Sequence, residues 1–311
     1  MEPRAFLGPI KDPSKRLHHR LRLWRLGAHA GALADVSPRE ISVATEDKLV
    51  DLAAICAEAG LAGKAMEFLR LAVEKKENIL DERRYIGLID MVRHLDAGIR
   101  AKYEPEISLS EKFRNGRGRF QDIVSDESIS LCIVGNSPCE RGRGLGAFID
   151  SHDVVIRFND YSTAPEYSED YGRKTDIWSR NYTYQNIWRR DSEKFRHTLL
   201  PGLSLYWRVP NGYQFLVDHA ASGNSAEDVP VRIYHNLMVR VGVPPSSGLL
   251  VLYWIFAIRG GLKNVSVFGF SMMDQNGIGP VRYFEDGVVR AKHPPHSWQR
   301  EWAVFNELIK T

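Results

Sequence analysis

Between residues 41 and 100 apolar positions recur every three or four residues, the period of a helix with one buried face. The stretch DKLVDLAAICAEAGLAGKAMEFLRLAVEKKENIL predicts two helices, with Gly60 and Gly63 marking the turn between them. RYIGLIDMVRHLDAGI continues the pattern. The pair resembles a single helical-repeat hairpin, but no second copy follows at a fixed period, so a small helical bundle is the plainer reading. Beyond residue 128 the texture changes. LCIVGN, VVIRFN, TDIWSRN, LSLYWRV and NVSVFGFS are short β-rich runs separated by helical or loop stretches. Strands alternating with helices imply an α/β fold, a Rossmann-like, mostly parallel sheet flanked by helices. The charged, glycine-bearing segment KFRNGRGRFQDIVSDES, 112–128, holds the boundary. The expected organisation is a basic segment over 1–40, a helical region over 41–115 and a large α/β domain over 116–311.

A chain of 311 residues with 43% apolar and 26% charged residues is an ordinary globular protein, and its net charge of +3 gives no argument for nucleic acid. The charge is uneven: residues 1–26 carry seven Lys/Arg against Glu2 and Asp12, so +5, and the remainder is −2 by subtraction from +3. After Pro13 the basic segment can form a helix with Leu17, Leu21 and Trp24 on one side. Two readings stay open: a solvated arm or helix packed on the bundle, or an interfacial anchor on an anionic membrane. No apolar signal region is visible, and the longest apolar run, Leu249 to Ile258, falls short of the roughly 20 residues that span a bilayer. The three cysteines, Cys56, Cys132 and Cys139, are few and odd in number, as in a reducing compartment. The expected location is cytoplasmic, at most peripheral on the inner face of the membrane.

In parallel α/β sheets ligands sit beyond the carboxyl ends of the strands, and Asn136, Asn159 and Ser271 all fall there. Two adjacent buried strands each finish in asparagine, which suggests that both side chains reach into one crevice and hold one nucleotide. Gly142, Gly144 and Gly146 do not make a dinucleotide fingerprint: the spacing is G-x-G-x-G, several residues past the strand. Ser246 before an apolar helical run, with Gly260-Gly261 after it, is a capped helix whose N-terminus suits a phosphate or a pyrimidine edge. A last helix is expected over HSWQREWAVFNELIK. His293 and His296 have no nearby cysteine to complete a metal site, and no D-x-D occurs to hold a metal-bound nucleotide diphosphate, so no metal is expected.

Taken together, the pieces over 128–311 resemble the animal-type sialyltransferase family. CIVGNS, 132–137, then IDSHD, 149–153, RFN, 157–159, and YSEDYGRKT, 167–175, resemble its large motif. PSSG, 245–248, through VFGF, 267–270, resemble its small motif, RYFE, 282–285, its third, and His296 with Glu301 its very small H-x-x-x-x-E motif. The four stand in the family's order. Two features depart from it: Cys132 has no cysteine partner in the small motif, which fits a cytoplasmic, bacterial-type member, and Arg282 stands where the family has His. A guanidinium still holds phosphate through two parallel hydrogen bonds.

The resemblance implies a GT-A-like variant fold and a glycosyltransferase catalytic domain that takes its sugar from a CMP-sugar, without metal or other cofactor, and delivers it to a glycan or glycolipid acceptor. A monophosphate leaving group carries less charge than a diphosphate, so protein donors and cations can stabilise it. Asn136, Ser137 and Asn159 would hold ribose and phosphate. Ser246, Ser247 and Gly248 would take the cytidine, and Arg282 and Tyr283 the leaving phosphate. His296 would be the general base that deprotonates the acceptor hydroxyl, with inversion from a single displacement. The donor would be a sialic acid or a related 3-deoxy-ulosonic acid such as Kdo. The rival is a non-catalytic nucleotide- or glycan-binding protein that retains the fold.

Overall fold

The structure is a computed structural model, described over residues 10–27, 36–82, 91, 97–181, 190, 193–202, 217, 219–271 and 296–310. Its contacts divide the chain into two units, Met1–Arg114 with Leu203–Val217, and Asn115–Gly202 with Asp218–Thr311.

The first unit is helical. Helices Glu46–Glu58 and Ala62–Lys75 pair through a turn at Gly60, whose φ of 75° suits glycine. Gly63, expected in the turn, lies inside the second helix. Leu49, Leu52, Ala53, Ala65, Phe68 and Leu69 line the buried faces of this pair. RYIGLIDMVRHLDAGI lies almost wholly outside the described residues. Helix Pro13–Arg25 does form, started by the Asp12 carboxylate, which accepts from Ser14 N and Lys15 N. Its apolar side is consumed within the unit. Leu17, Leu21, Leu23 and Trp24 are buried, Trp24 Nε1 donates to Glu58 Oε2 at 3.0 Å, and buried Arg20 pairs with buried Glu40 at 2.6 Å. Leucines and a tryptophan so enclosed are not presented to a lipid surface, so insertion of residues 1–26 as an interfacial anchor does not fit this helix. Among the described residues no helix is long and apolar enough to cross a membrane.

The second unit holds a six-stranded, all-parallel sheet: β1 Leu131–Val134, β2 Val154–Phe158, β3 Ile177–Ser179, β4 His197–Leu200, β5 Ala226–Asp228 and β6 Val265–Phe268. The order is β5-β4-β3-β2-β1-β6. Apolar β1 and β2 are buried at every position, as parallel strands covered by helices must be. Helix Gly146–Asp150 connects β1 to β2, and Pro165–Tyr171 connects β2 to β3. The chain steps outward from β1 to β5, then returns through helices Val231–Val241 and Ser247–Arg259 to set β6 beside β1. The order reverses between β1 and β6, and the carboxyl ends there form the crevice where such sheets bind ligands. The expected strands LCIVGN, VVIRFN, TDIWSRN and NVSVFGFS are present. LSLYWRV lies outside the described residues, and β4 and β5 were not expected.

Candidate active site

At the switch point the two strand ends approach closely. A Cβ on Gly135 would lie 2.3 Å from Gly269 O, and one on Gly269 would lie 2.3 Å from Gly135 O, so both positions need glycine. Gly135 N donates to Phe268 O and Ser137 N to Gly269 O, which extends the β1–β6 ladder into the loops. Buried Glu140 accepts from Gly269 N at 3.0 Å and from Arg143, and Tyr171 OH donates to Ser137 O at 2.5 Å. The loop after β1 is therefore held from several sides.

Each asparagine at a strand end bridges to the next strand. Asn136 Nδ2 donates to Phe158 O at 3.0 Å. Because a carbonyl only accepts, this bond fixes the amide orientation and leaves Asn136 Oδ1 buried without a partner. Asn159, at a φ of 49° that asparagine tolerates better than most residues, accepts at Oδ1 from Asn181 N at 2.7 Å. Trp178 Nε1 in turn donates to Asn159 O at 2.9 Å. The ends of β1, β2 and β3 are thus chained by Asn136, Asn159 and Asn181. Asn181 was missed by sequence reasoning, although TDIWSRN shows the same ending. Ser137 Oγ donates to Ser271 Oγ at 2.6 Å, joining two residues expected at strand ends.

Ser246 caps helix Ser247–Arg259, its Oγ accepting from Leu249 N, and Gly260 ends that helix at a φ of 72°. The last helix runs Trp298–Lys310, so His296 precedes it and Glu301 sits in its first turn. Glu301 is fully enclosed and accepts from Ser246 N at 2.9 Å and Ser246 Oγ at 2.5 Å. Burial raises the Glu301 carboxyl above its ordinary value, opposed by the Ser246 bonds and by His296 at 3.7 Å. The Ser246 hydroxyl is therefore occupied in joining two helices. His296 Nδ1 lies 2.8 Å from Pro244 O. A carbonyl cannot donate, so Nδ1 carries the proton, and in the neutral ring Nε2 keeps the free lone pair. Pro244 carried no signal in the sequence for this role.

Aromatic rings link these pieces. A Cβ on Gly248 would lie 2.6 Å from the Phe270 ring, so glycine admits Phe270 against the helix start. Phe270 meets Phe158 edge-on at 6.1 Å and stacks on Phe305 at 5.9 Å, which stacks on Trp302 at 5.5 Å. Asn136 and Asn159 through Phe158, Gly248 through Phe270, and the His296–Glu301 segment through Phe305 therefore belong to one connected region. Ser247, half-buried, is the first residue of the helix that Ser246 caps. Arg282, Tyr283 and His293 lie outside the described residues.

The glycine loop is different. Gly142 N and Gly144 N donate to the two oxygens of Asp170 at 2.7 and 2.9 Å, so an internal carboxylate occupies the donors that a phosphate would need.

The strand-end asparagines, the glycine-admitted Phe270 and the segment before the last helix thus lie around the switch point of a parallel α/β sheet. Residues 101–207, about a third of the chain, match the family model of glycosyltransferase family 29 (sialyltransferase). The match supports a glycosyltransferase activity. Solved structures similar to the chain include a mammalian sialyltransferase in complex with Gal-beta-1-3GalNAc-ortho-nitrophenol. It is 20% identical over 64% of this chain and 75% of that one, with a TM-score of 0.41. A second structure of a mammalian sialyltransferase is 21% identical over 58% of this chain and 66% of that one, with a TM-score of 0.40. No curated protein sequence matches.

Proposed function

We propose that the chain is an inverting, metal-independent glycosyltransferase that moves a sialic acid, or a related 3-deoxy-ulosonic acid such as Kdo, from a CMP-sugar to a glycan or glycolipid hydroxyl. The observation that carries this reading is the Nδ1 bond from His296 to Pro244 O, which leaves Nε2 free as a proton acceptor. In the proposed step the acceptor hydroxyl gives its proton to His296 Nε2 while its oxygen attacks the anomeric carbon. The bond from that carbon to the CMP phosphate oxygen breaks as the new bond forms on the opposite face, so the configuration inverts.

Asn136 Oδ1, buried without a partner, is an acceptor for a ribose hydroxyl, and Asn159 Nδ2 has no bond partner among the described residues. The backbone N–H groups of Ser247 and Gly248, at the start of a 13-residue helix, are donors for the cytidine and phosphate. Ser246 contributes by fixing that helix start. Arg282 and Tyr283 are proposed at the leaving phosphate from the sequence motif alone.

The test is CMP release from a panel of CMP-sugars, with and without glycan acceptors and with EDTA throughout. Release from one donor, enhanced by its acceptor and indifferent to EDTA, is expected. CMP binding without release would favour the non-catalytic reading. Activity restored only by added Mg²⁺ or Mn²⁺ would refute metal independence.

A further inference from the structure

We propose that a cleft within the N-terminal unit is a second binding site, for a small molecule bearing a phosphate or diphosphate group. The cleft, of about 500 Å³, lies between helix Pro13–Arg25 and the start of helix Glu46–Glu58. That volume suits a small ligand and is far too small for a nucleic acid duplex. Its polar lining is Ser14, Lys15, His18, His19, Thr45 and Lys48, and the rest is aliphatic. No carboxylate is among these residues. In a chain with 42 Lys/Arg against 39 Asp/Glu, two lysines and two histidines without an acid is a sorted lining.

Two nearby carboxylates are already engaged, and Glu46 and Asp47 stand in the first turn after Thr45 without lining the cleft. Asp12 accepts from Ser14 N and Lys15 N, and Glu40 is held by Arg20. Lys48 reaches Asp51 only at 3.8 Å, on the helix that carries both. Three donors remain uncommitted. Lys15 has no ion-pair partner among the described residues, His19 Nε2 is buried without a hydrogen bond, and Thr45 starts its helix without giving it a side-chain cap bond. Lysine ammonium groups act as point charges on phosphate, and imidazole and hydroxyl groups add directed hydrogen bonds to its oxygens. A concave surface of one charge sign concentrates such anions. Lys15, one of the seven cations of residues 1–26, thus gains a specific use, which requires no insertion of the buried leucines into lipid.

Calorimetric titration of the full chain with inorganic pyrophosphate tests the site. Saturable one-to-one binding is expected, at least tenfold weaker in a Lys15→Gln/Lys48→Gln variant and in His19→Gln, with CMP affinity and melting temperature unchanged in both. Co-sedimentation with phosphatidic acid vesicles distinguishes the source of the phosphate. Retention that pyrophosphate displaces assigns a lipid headgroup, and pyrophosphate binding without retention assigns a soluble ligand. The proposal is overturned if the wild type shows no saturable binding, if the variants bind equally well, if CMP displaces the pyrophosphate, or if vesicle retention resists it.

Discussion

Two sets of polar groups in the second unit look alike in sequence and behave oppositely in the structure. At the glycine loop and around Glu227 on β5, polar groups are consumed internally, although Thr198 Oγ1 on β4 is buried without a bond. Asp170 fills the Gly142 and Gly144 donors, and Glu227 accepts from Gly118 N, Phe120 N and His197 Nε2. At the ends of β1 and β2 and before the last helix, atoms are left over: Asn136 Oδ1, Asn159 Nδ2 and His296 Nε2. Polar atoms that the protein satisfies by itself build the fold. The proposed function assigns the left-over atoms to the nucleotide and acceptor, and for Asn136 Oδ1, the buried one, the missing partner costs about 1–3 kcal/mol.

The largest expected effect lies on the left-over side. His296→Ala should lower transfer by roughly 10²- to 10⁴-fold with CMP affinity within a few-fold, since a general base acts on the reacting proton and not on the nucleotide. Normal transfer by this variant would move the base to another residue, His293 first.

The consumed side should answer in stability. Glu227→Ala strands two backbone N–H groups and an imidazole, and should cost about 3 kcal/mol in denaturant unfolding without weakening CMP binding. A loss of CMP affinity in a variant that still melts cooperatively would blur the division between the two sets.

Acid should act on the same edge. Burial, with help from Arg180 and His197, pushes the His219 imidazole down to about 4 from an ordinary 6.5. The unfolded chain then binds a proton that the folded chain refuses. Stability present above pH 6.5 is lost as pH falls toward 4, by about 1–3 kcal/mol. His219→Gln should flatten that part of the stability curve measured by denaturant unfolding at pH 7 and 4.5, and an unchanged slope would remove His219 as its source.

Thiol chemistry gives the smallest effect. Burial pushes the Cys132 thiol up to about 12 and Cys56 to about 11, while Cys139 is exposed with its thiol also raised. Slow modification of Cys139 alone is expected in the native chain by mass spectrometry. Rapid labelling of Cys132 would contradict its place in the core beside Val134, Ile149 and Val155.

The same contrast explains what could be read from the sequence. β1, β2 and β3 were legible because their mostly apolar residues are buried on both faces, and half-buried β6 because VSVF is a β-branched and aromatic run. β4, HTLL, and β5, AED, were not, because His197 and Glu227 are buried as each other's partners, and pairing across strands leaves no trace in either segment alone. The asparagines were legible as strand endings. Their first role, bridging one strand end to the next, was not, since it depends on which strands are neighbours. Ser246 was legible as a cap, but its bond to Glu301 joins positions 55 residues apart. Leu17, Leu21 and Trp24 showed an apolar side, and only packing decides whether such a side meets protein or lipid.

The most direct measurement is a calorimetric titration of CMP into the wild type, Asn159→Gly and Glu227→Ala side by side. Glycine keeps the left-handed backbone at residue 159 without strain but also loses the bond from Asn181 N, so the melting temperature of each variant is read beside its affinity. Affinity should fall about 2- to 10-fold in Asn159→Gly, the equivalent of a hydrogen bond worth about 0.5–1.5 kcal/mol, and stay unchanged in Glu227→Ala. Equal affinity in all three proteins would contradict the assignment of the left-over strand-end atoms to the nucleotide.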